Sequence, residues 1–156
     1  VEDPNGYCLS DYWSFDDDRF DRNHDFIQWM FPLKEASQFN TNAPLLTDRD
    51  IEEFHKTPAM TSAMRVSFLR FLRSLGLRGS GETVVKAKNF DDYRPRCWGQ
   101  FNHNWRRITR ALSSMRLLGL RREAEAFFLC LTSLKDEGLV TPDTYKFWEI
   151  SINGDQ

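Results

Sequence analysis

The chain has 156 residues, with 21 Lys plus Arg against 23 Asp plus Glu and a formal net charge of −2. That length gives one domain with a real core and is short for two. A hydrophobic fraction of 40% with 13 Phe, 5 Trp and 4 Tyr excludes intrinsic disorder, and no apolar run reaches the roughly 18 residues of a membrane span. The near-neutral total conceals a split. Residues 1–55 carry 4 basic against 13 acidic side chains, and residues 56–156 carry 17 against 10; within 65–122 the count is 14 basic to 3 acidic. Such asymmetry points either to an anionic partner or to one half of the fold neutralising the other.

Residues 1–156 read as a single domain with its core at about 10–152. Pro4, Asn5 and Gly6 mark a polar, turn-forming lead-in over residues 1–10. From Asp16 to Phe31 the positions Phe20, Ile27 and Phe31 recur at helical spacing, widened by Phe26, Trp29 and Met30. Asp16, Asp17 and Asp18 complement the positive end of that helix and Pro32 stops it. Its second half is apolar almost all round and belongs inside the fold. An extended connector over 32–46 leads to Thr47-x-x-Asp50, which opens a short helix over 48–56.

Pro58 starts a helix with Thr61, Met64, Phe68, Phe71, Leu72 and Leu75 inward and Arg65, Arg70 and Arg73 largely elsewhere, ended by Gly76. Residues 76–97 are the least regular stretch, with only weak strand character at Val84-Val85. In the clearest helix, Phe101, Trp105, Ile108, Leu112, Met115 and Gly119 form a seam of period 3.5. A further helix runs from Arg121 to Glu137 with Ala124, Phe127, Phe128, Leu131 and Leu134 inward. Thr141-Pro142 begins a last one through Tyr145, Trp148 and Ile152. The expected fold is all-α: a compact bundle of about six helices with one long irregular connector.

Cys8, Cys97 and Cys130 are odd in number and widely spaced, which favours a reducing compartment, and Cys130 sits in an apolar run as a small core residue. The acidic N-terminus shows no signal-peptide pattern. His24, His55 and His103 have no zinc-site spacing, so neither metal nor cofactor is expected. Nucleophile-elbow, phosphate-loop and dinucleotide-loop patterns are missing, so no catalytic residue is assigned. Three successive aspartates on a helix diverge, so Asp16-Asp17-Asp18 reads as a charge cluster and not an ion site.

Two segments remain as candidate sites. His24 and Gln28, at i and i+4 in His24-Asp25-Phe26-Ile27-Gln28-Trp29-Met30-Phe31-Pro32-Leu33, share a helix face. They either satisfy backbone groups of neighbouring loops or line a pocket. His103, Arg107 and Arg110 form a polar stripe beside the apolar seam. It either pairs with the acidic first helix, or binds an anion through planar guanidinium forks. A pI of about 5.9 and the lack of a nucleic-acid-binding signature make DNA or RNA a secondary expectation for the Arg-rich 65–122 region. An enzyme using His24, His103 and Arg107 as acid, base and anion clamp is a further alternative.

His24-x-Phe26-Ile27-Gln28-Trp29-Met30-Phe31-Pro32-Leu33, then Asn42-Ala43-Pro44-Leu45-Leu46-Thr47, then His103-Asn104-Trp105-Arg106-Arg107-Ile108-Thr109-Arg110-Ala111-Leu112 with Leu118-Gly119-Leu120, resemble the conserved core of the opioid growth factor receptor family, over roughly residues 10–138. Phe26 stands where that family usually has Tyr, and Met30 where it has Leu. The resemblance implies an all-α binding domain; the named vertebrate member is described as an intracellular receptor for the pentapeptide Met-enkephalin, acting at the nucleus. The expected function is therefore a non-enzymatic, ligand- or peptide-binding regulatory domain with a receptor-like signalling role, intracellular and either cytoplasmic or nuclear. Its expected partners are a peptide or small anionic ligand, or another protein. The expected polar lining is His24, Gln28, His103, Asn104, Arg107 and Arg110, with Trp29 and Trp105 as apolar walls.

Overall fold

A computed structural model describes residues 6–23, 26–35, 45–80 and 82–154. Among these residues the chain is predominantly helical: α1 (Leu9–Ser14), α2 (Asp17–Arg22), α3 (Ile27–Met30), α4 (Asp48–Lys56), α5 (Pro58–Ser74), β1 (Leu77–Ser80), β2 (Thr83–Lys86), α6 (Phe90–Cys97), α7 (His103–Leu117), α8 (Arg121–Asp136) and α9 (Pro142–Asn153). The all-α expectation holds in kind, and the boundaries of α5, α8 and α9 follow the capping signals closely. Thr47 accepts from the Asp50 amide at 3.1 Å while the Asp50 carboxylate accepts from the Thr47 amide at 2.8 Å, so the two ends of a capping box close as the spacing predicts.

Two expectations need correction. The helix expected over Asp16–Phe31 is cut in two, because Asn23 adopts φ −83°, ψ 111° and ends α2, and α3 restarts after Phe26. Periodicity missed the break because both pieces bury the same kind of aromatic face. The stretch expected to be irregular is an antiparallel hairpin, with Leu77 paired to Lys86 and Ser80 to Thr83, followed by α6. Only Leu77 and Val84 of the hairpin are buried, too little apolar alternation to announce two strands.

Helix α7 is the centre of the bundle. Its seam residues Trp105, Ile108, Leu112 and Met115 are inaccessible to solvent, and α8 and α9 pack against it and each other. Phe101, predicted in the same seam, lies before the helix and is exposed, with the Arg106 guanidinium over its ring. α5 contacts α1, α2 and α4 and leads into the hairpin, whose second strand rests on α8. A chain of ring contacts, Phe31–Phe71–Phe127–Phe68, ties the N-terminal segment through α5 to α8. Buried indoles donate to main-chain oxygens at helix ends and turns: Trp98 to Leu75, Trp105 to Cys97 and Trp148 to Trp105.

Gly76 needs its left-handed φ of +74° to turn α5 into β1, and a Cβ there would lie 3.0 Å from Tyr93 of α6. Gly119, at φ +91°, ends α7 where a Cβ would meet the His55 ring at 3.0 Å, so α4 closes over the end of α7 only because this residue has no side chain.

Candidate functional site

The polar face of α7 meets the N-terminal segment. Asn102 caps the helix by accepting from the Asn104 amide, which sets the rotation of His103, Asn104, Arg107, Arg110 and Ser114 toward α2 and α3. Each of these side chains holds a group of that segment. His103 Nε2 lies 2.9 Å from Asp21 Oδ1, and Asn104 Nδ2 donates to the same oxygen at 3.2 Å. Arg107, buried, donates to the carbonyls of Asp21 at 3.1 Å and Asn23 at 2.9 Å, with a longer contact to Phe20, and its guanidinium lies 4.9 Å from the Phe26 ring centre. Arg110 Nε donates to Phe31 O at 2.8 Å and Ser114 Oγ to Pro32 O at 2.7 Å.

The C-terminal carbonyls of a helix have no intrahelical donors. Arg107 supplies them for α2, which explains why the chain breaks at Asn23: a buried cation rewards three carbonyls for converging on it. Burial pulls Arg107 down to about 10, and Arg110 likewise to about 10, through the cost of desolvating the guanidinium. Both values leave the groups charged at neutral pH.

The acidic side chains of α2 are each engaged by a partner. Asp17 pairs with Arg70 at 3.1 Å and accepts from Tyr93, Asp18 pairs with Arg96 at 3.1 Å, and Asp21 takes His103 and Asn104. Arg70, expected off the inward face of α5, is buried instead, donating to Phe15 O and lying 4.2 Å from the Phe20 ring centre. The α5 pattern hid it because arginine on an apolar helix normally signals solvent. The opposite charges of the two halves thus meet across α2. Elsewhere in the basic region Arg65 pairs with Glu123, Lys86 with Glu137, and Arg116 donates to Ser151 O.

Of the residues expected to line a pocket, His103, Asn104, Arg107 and Arg110 come together on α7 against α2 and α3. Trp105 faces the opposite way, into the core, and Trp29 is half-buried. His24 lies outside the described residues, as does the Asn42-Ala43-Pro44 part of the connector. Gln28 is 5% exposed and its Oε1 has no hydrogen-bond partner; Arg110 Nη2 is the other buried polar atom of this set without one. Burial pushes the Cys97 thiol, beside Asn104, up to about 11, which makes it a weak nucleophile at neutral pH.

A further concavity, with a largely apolar lining, lies elsewhere, between α5, the hairpin and α8. It encloses about 640 Å³, with Phe68, Val84 and Ala126 lining it beside the exposed Leu69 and Leu129 and the rim residues Arg65, Glu82 and Arg122. Val84 also borders a second hollow of about 480 Å³ toward Arg78, Cys130 and Glu137. The sequence carried one signal for it: Phe127-Phe128-Leu129-Cys130-Leu131 is longer than a single helix face can bury, so part of the run must be exposed. Among the described residues, no helix is long and apolar enough to cross a membrane and no group of three or more His, Cys, Asp or Glu side chains is placed to hold a metal ion.

The model of the opioid growth factor receptor (OGFr) conserved region matches residues 3–150. Opioid growth factor receptor-like protein 1 of Mus musculus is 35% identical over 109 residues, 69% of this chain and 23% of that protein. The opioid growth factor receptor of Homo sapiens is 34% identical over 125 residues, 75% of this chain and 18% of that protein, and that of Mus musculus is 33% identical over 124. The chain thus spans about a fifth of the length of the curated relatives it matches. No solved structure matches it significantly. The two signature segments that this fold clamps together, and a match running through nearly every element, lead to one conclusion: the chain belongs to the opioid growth factor receptor conserved-region family.

Proposed function

We propose that this chain is a non-enzymatic, peptide- or ligand-binding regulatory domain with a receptor-like role. The observation that carries the reading is the open groove between α5, the hairpin and α8, which leaves Leu69 52% and Leu129 67% exposed at its edge. Its volume lies within the usual range of about 300–1,000 Å³ for ligand sites, and two large aliphatic side chains held beside a preformed hollow favour an apolar partner. Relatives named as receptors support a binding role over a catalytic one. Three free cysteines, two of them buried, support an intracellular setting.

A second reading keeps the α3–α7 face as the ligand surface. It is favoured by the two unsatisfied buried atoms, Gln28 Oε1 and Arg110 Nη2. Asn104, Arg107 and Trp105 serve there as supports.

Amide chemical-shift perturbation of the labelled domain, titrated with a panel of pentapeptides that includes Met-enkephalin, tests both readings. Saturable shifts centred on Leu69, Val84 and Leu129 support the groove. Shifts centred on Gln28 and Arg110 transfer the site to the α3–α7 face. No saturable shift with any peptide refutes the peptide-binding role.

A further inference from the structure

We propose that the open edge of β2 is a self-association surface, on which a second copy of the chain lays its own β2 antiparallel about a twofold axis, joining the two hairpins into one sheet. The register fixes which main-chain groups are available. Gly76 O accepts from the Ala87 amide at 2.9 Å, so Gly76 and Ala87 form a hydrogen-bonded pair. Hydrogen-bonded and non-hydrogen-bonded pairs alternate along an antiparallel ladder. Arg78 and Val85 therefore bond each other, whereas Leu77–Lys86 and Gly79–Val84 turn their N–H and C=O groups outward to the two edges. The β1 edge is hemmed in: Leu77 is 1% exposed, and a Cβ on Gly79 would lie 3.1 Å from Leu69 of α5. The β2 edge is open. The main-chain groups of Val84 and Lys86 have no partner among the described residues, and both residues border the hollow of about 480 Å³ beside α8.

An occupant must present N–H and C=O groups at the same alternate spacing, so it is itself a strand. Charge selects which strand. Turning β2 on itself about Val85 sets Val84 opposite the partner's Lys86, and Lys86 opposite the partner's Val84. Every outward main-chain group of Val84 and Lys86 is then paired. The same register carries Glu82 to the partner's Lys88 at each end. Glu82 and Lys88 are both exposed, and neither has an ion-pair partner in its own chain among the described residues. With an acid and a base each three residues from Val85, the segment Glu82-Thr83-Val84-Val85-Lys86-Ala87-Lys88 is complementary to its own reverse.

A lysine on an edge strand ordinarily guards against such pairing. Here the Lys86 ammonium is drawn away to Glu137 of α8 at 2.7 Å and lies 4.9 Å from the Phe90 ring centre, which leaves the edge itself without a repelling charge. The contact is short, so the association is of the weak, concentration-dependent kind. It is independent of the peptide-binding reading above.

The test is sedimentation velocity of the domain at concentrations rising to about 1 mM, where a weak pair is still populated. The expected result is a mass climbing from 18.4 kDa toward twice that value. Lys86→Pro should hold the protein monomeric, because it removes only an outward amide and proline is tolerated at such an edge position. Glu82→Lys should weaken association about ten-fold, since it sets like charges against each other at both ends of the pair. The double variant Glu82→Lys, Lys88→Glu should restore wild-type association, and each variant is first shown to keep the wild-type unfolding midpoint. A wild-type protein monomeric throughout overturns the proposal. A dimer that Lys86→Pro and Glu82→Lys both leave intact uses another face and overturns it equally. A double variant no tighter than Glu82→Lys alone overturns the twofold register on which the choice of a second copy rests.

Discussion

Truncating Arg107 to alanine is the sharpest probe of how this fold is held. The side chain is buried, and its two shorter bonds, 3.1 Å to Asp21 O and 2.9 Å to Asn23 O, are what end α2. Removing it leaves two partly buried carbonyls without donors, at about 1 kcal/mol each when water partly re-enters. It forfeits the cation over the Phe26 ring at 4.9 Å, about 0.5–1 kcal/mol, and the packed aliphatic stem, about 1 kcal/mol. The loss is then about 3–4 kcal/mol, a large share of the roughly 5–15 kcal/mol that stabilises a domain. For a chain of this size it corresponds to a fall in Tm of about 10 °C. Urea unfolding followed by tryptophan fluorescence and circular dichroism measures it, with the exposed Arg94→Ala as reference, expected within about 0.5 kcal/mol of wild type. Arg107→Lys should recover part of the loss, since an ammonium reaches one carbonyl but has no fork. An Arg107→Ala protein as stable as the Arg94→Ala reference would refute the argument that this guanidinium organises the N-terminal segment.

Other consequences are as direct. Gln28→Met should be neutral or stabilising by up to about 1 kcal/mol, because it removes a buried oxygen with no partner at similar volume; a loss above about 1 kcal/mol in chemical unfolding would show that Gln28 has a structural partner. Gly76→Ala should cost about 2–3 kcal/mol, from the positive φ together with the 3.0 Å approach to Tyr93, and a thermal melt matching wild type would contradict it. Among the thiols, Cys8 should react with a maleimide reagent at pH 8 well before Cys97 and Cys130, both pushed up to about 11 by burial; mass spectrometry showing equal labelling in the folded protein would contradict the burial argument. Asp17→Asn should destabilise by about 1–2 kcal/mol, since it strands the buried Arg70 guanidinium beside the Phe20 ring; an unchanged urea midpoint would show that Arg70 is held by the Phe15 carbonyl alone.

The amino-acid sequence by itself determined the helical class, the starts and stops of α5, α8 and α9, and the seam of α7, because those follow from capping residues, proline and glycine placement and a 3.5-residue period, all of them local properties. It also determined that the −9 and +7 halves had to be reconciled somewhere. Only the tertiary structure decided where. Arg70 and Arg107 look like surface arginines in their own helices and become buried anchors through carbonyls and a carboxylate some 53 to 87 residues away in the chain. Asn23 breaks a helix that its neighbours would continue, because a distant guanidinium holds the carbonyls there. The hairpin and its groove exist because α5 and α8 pack close enough for a few apolar contacts to hold β1 and β2 on them, a contact that no pattern within 77–86 encodes. The stripe beside His103 was one of the two surfaces the sequence left open for a partner. In the fold its guanidiniums are largely turned to the N-terminal segment, since a buried cation goes where carbonyls and carboxylates repay its desolvation.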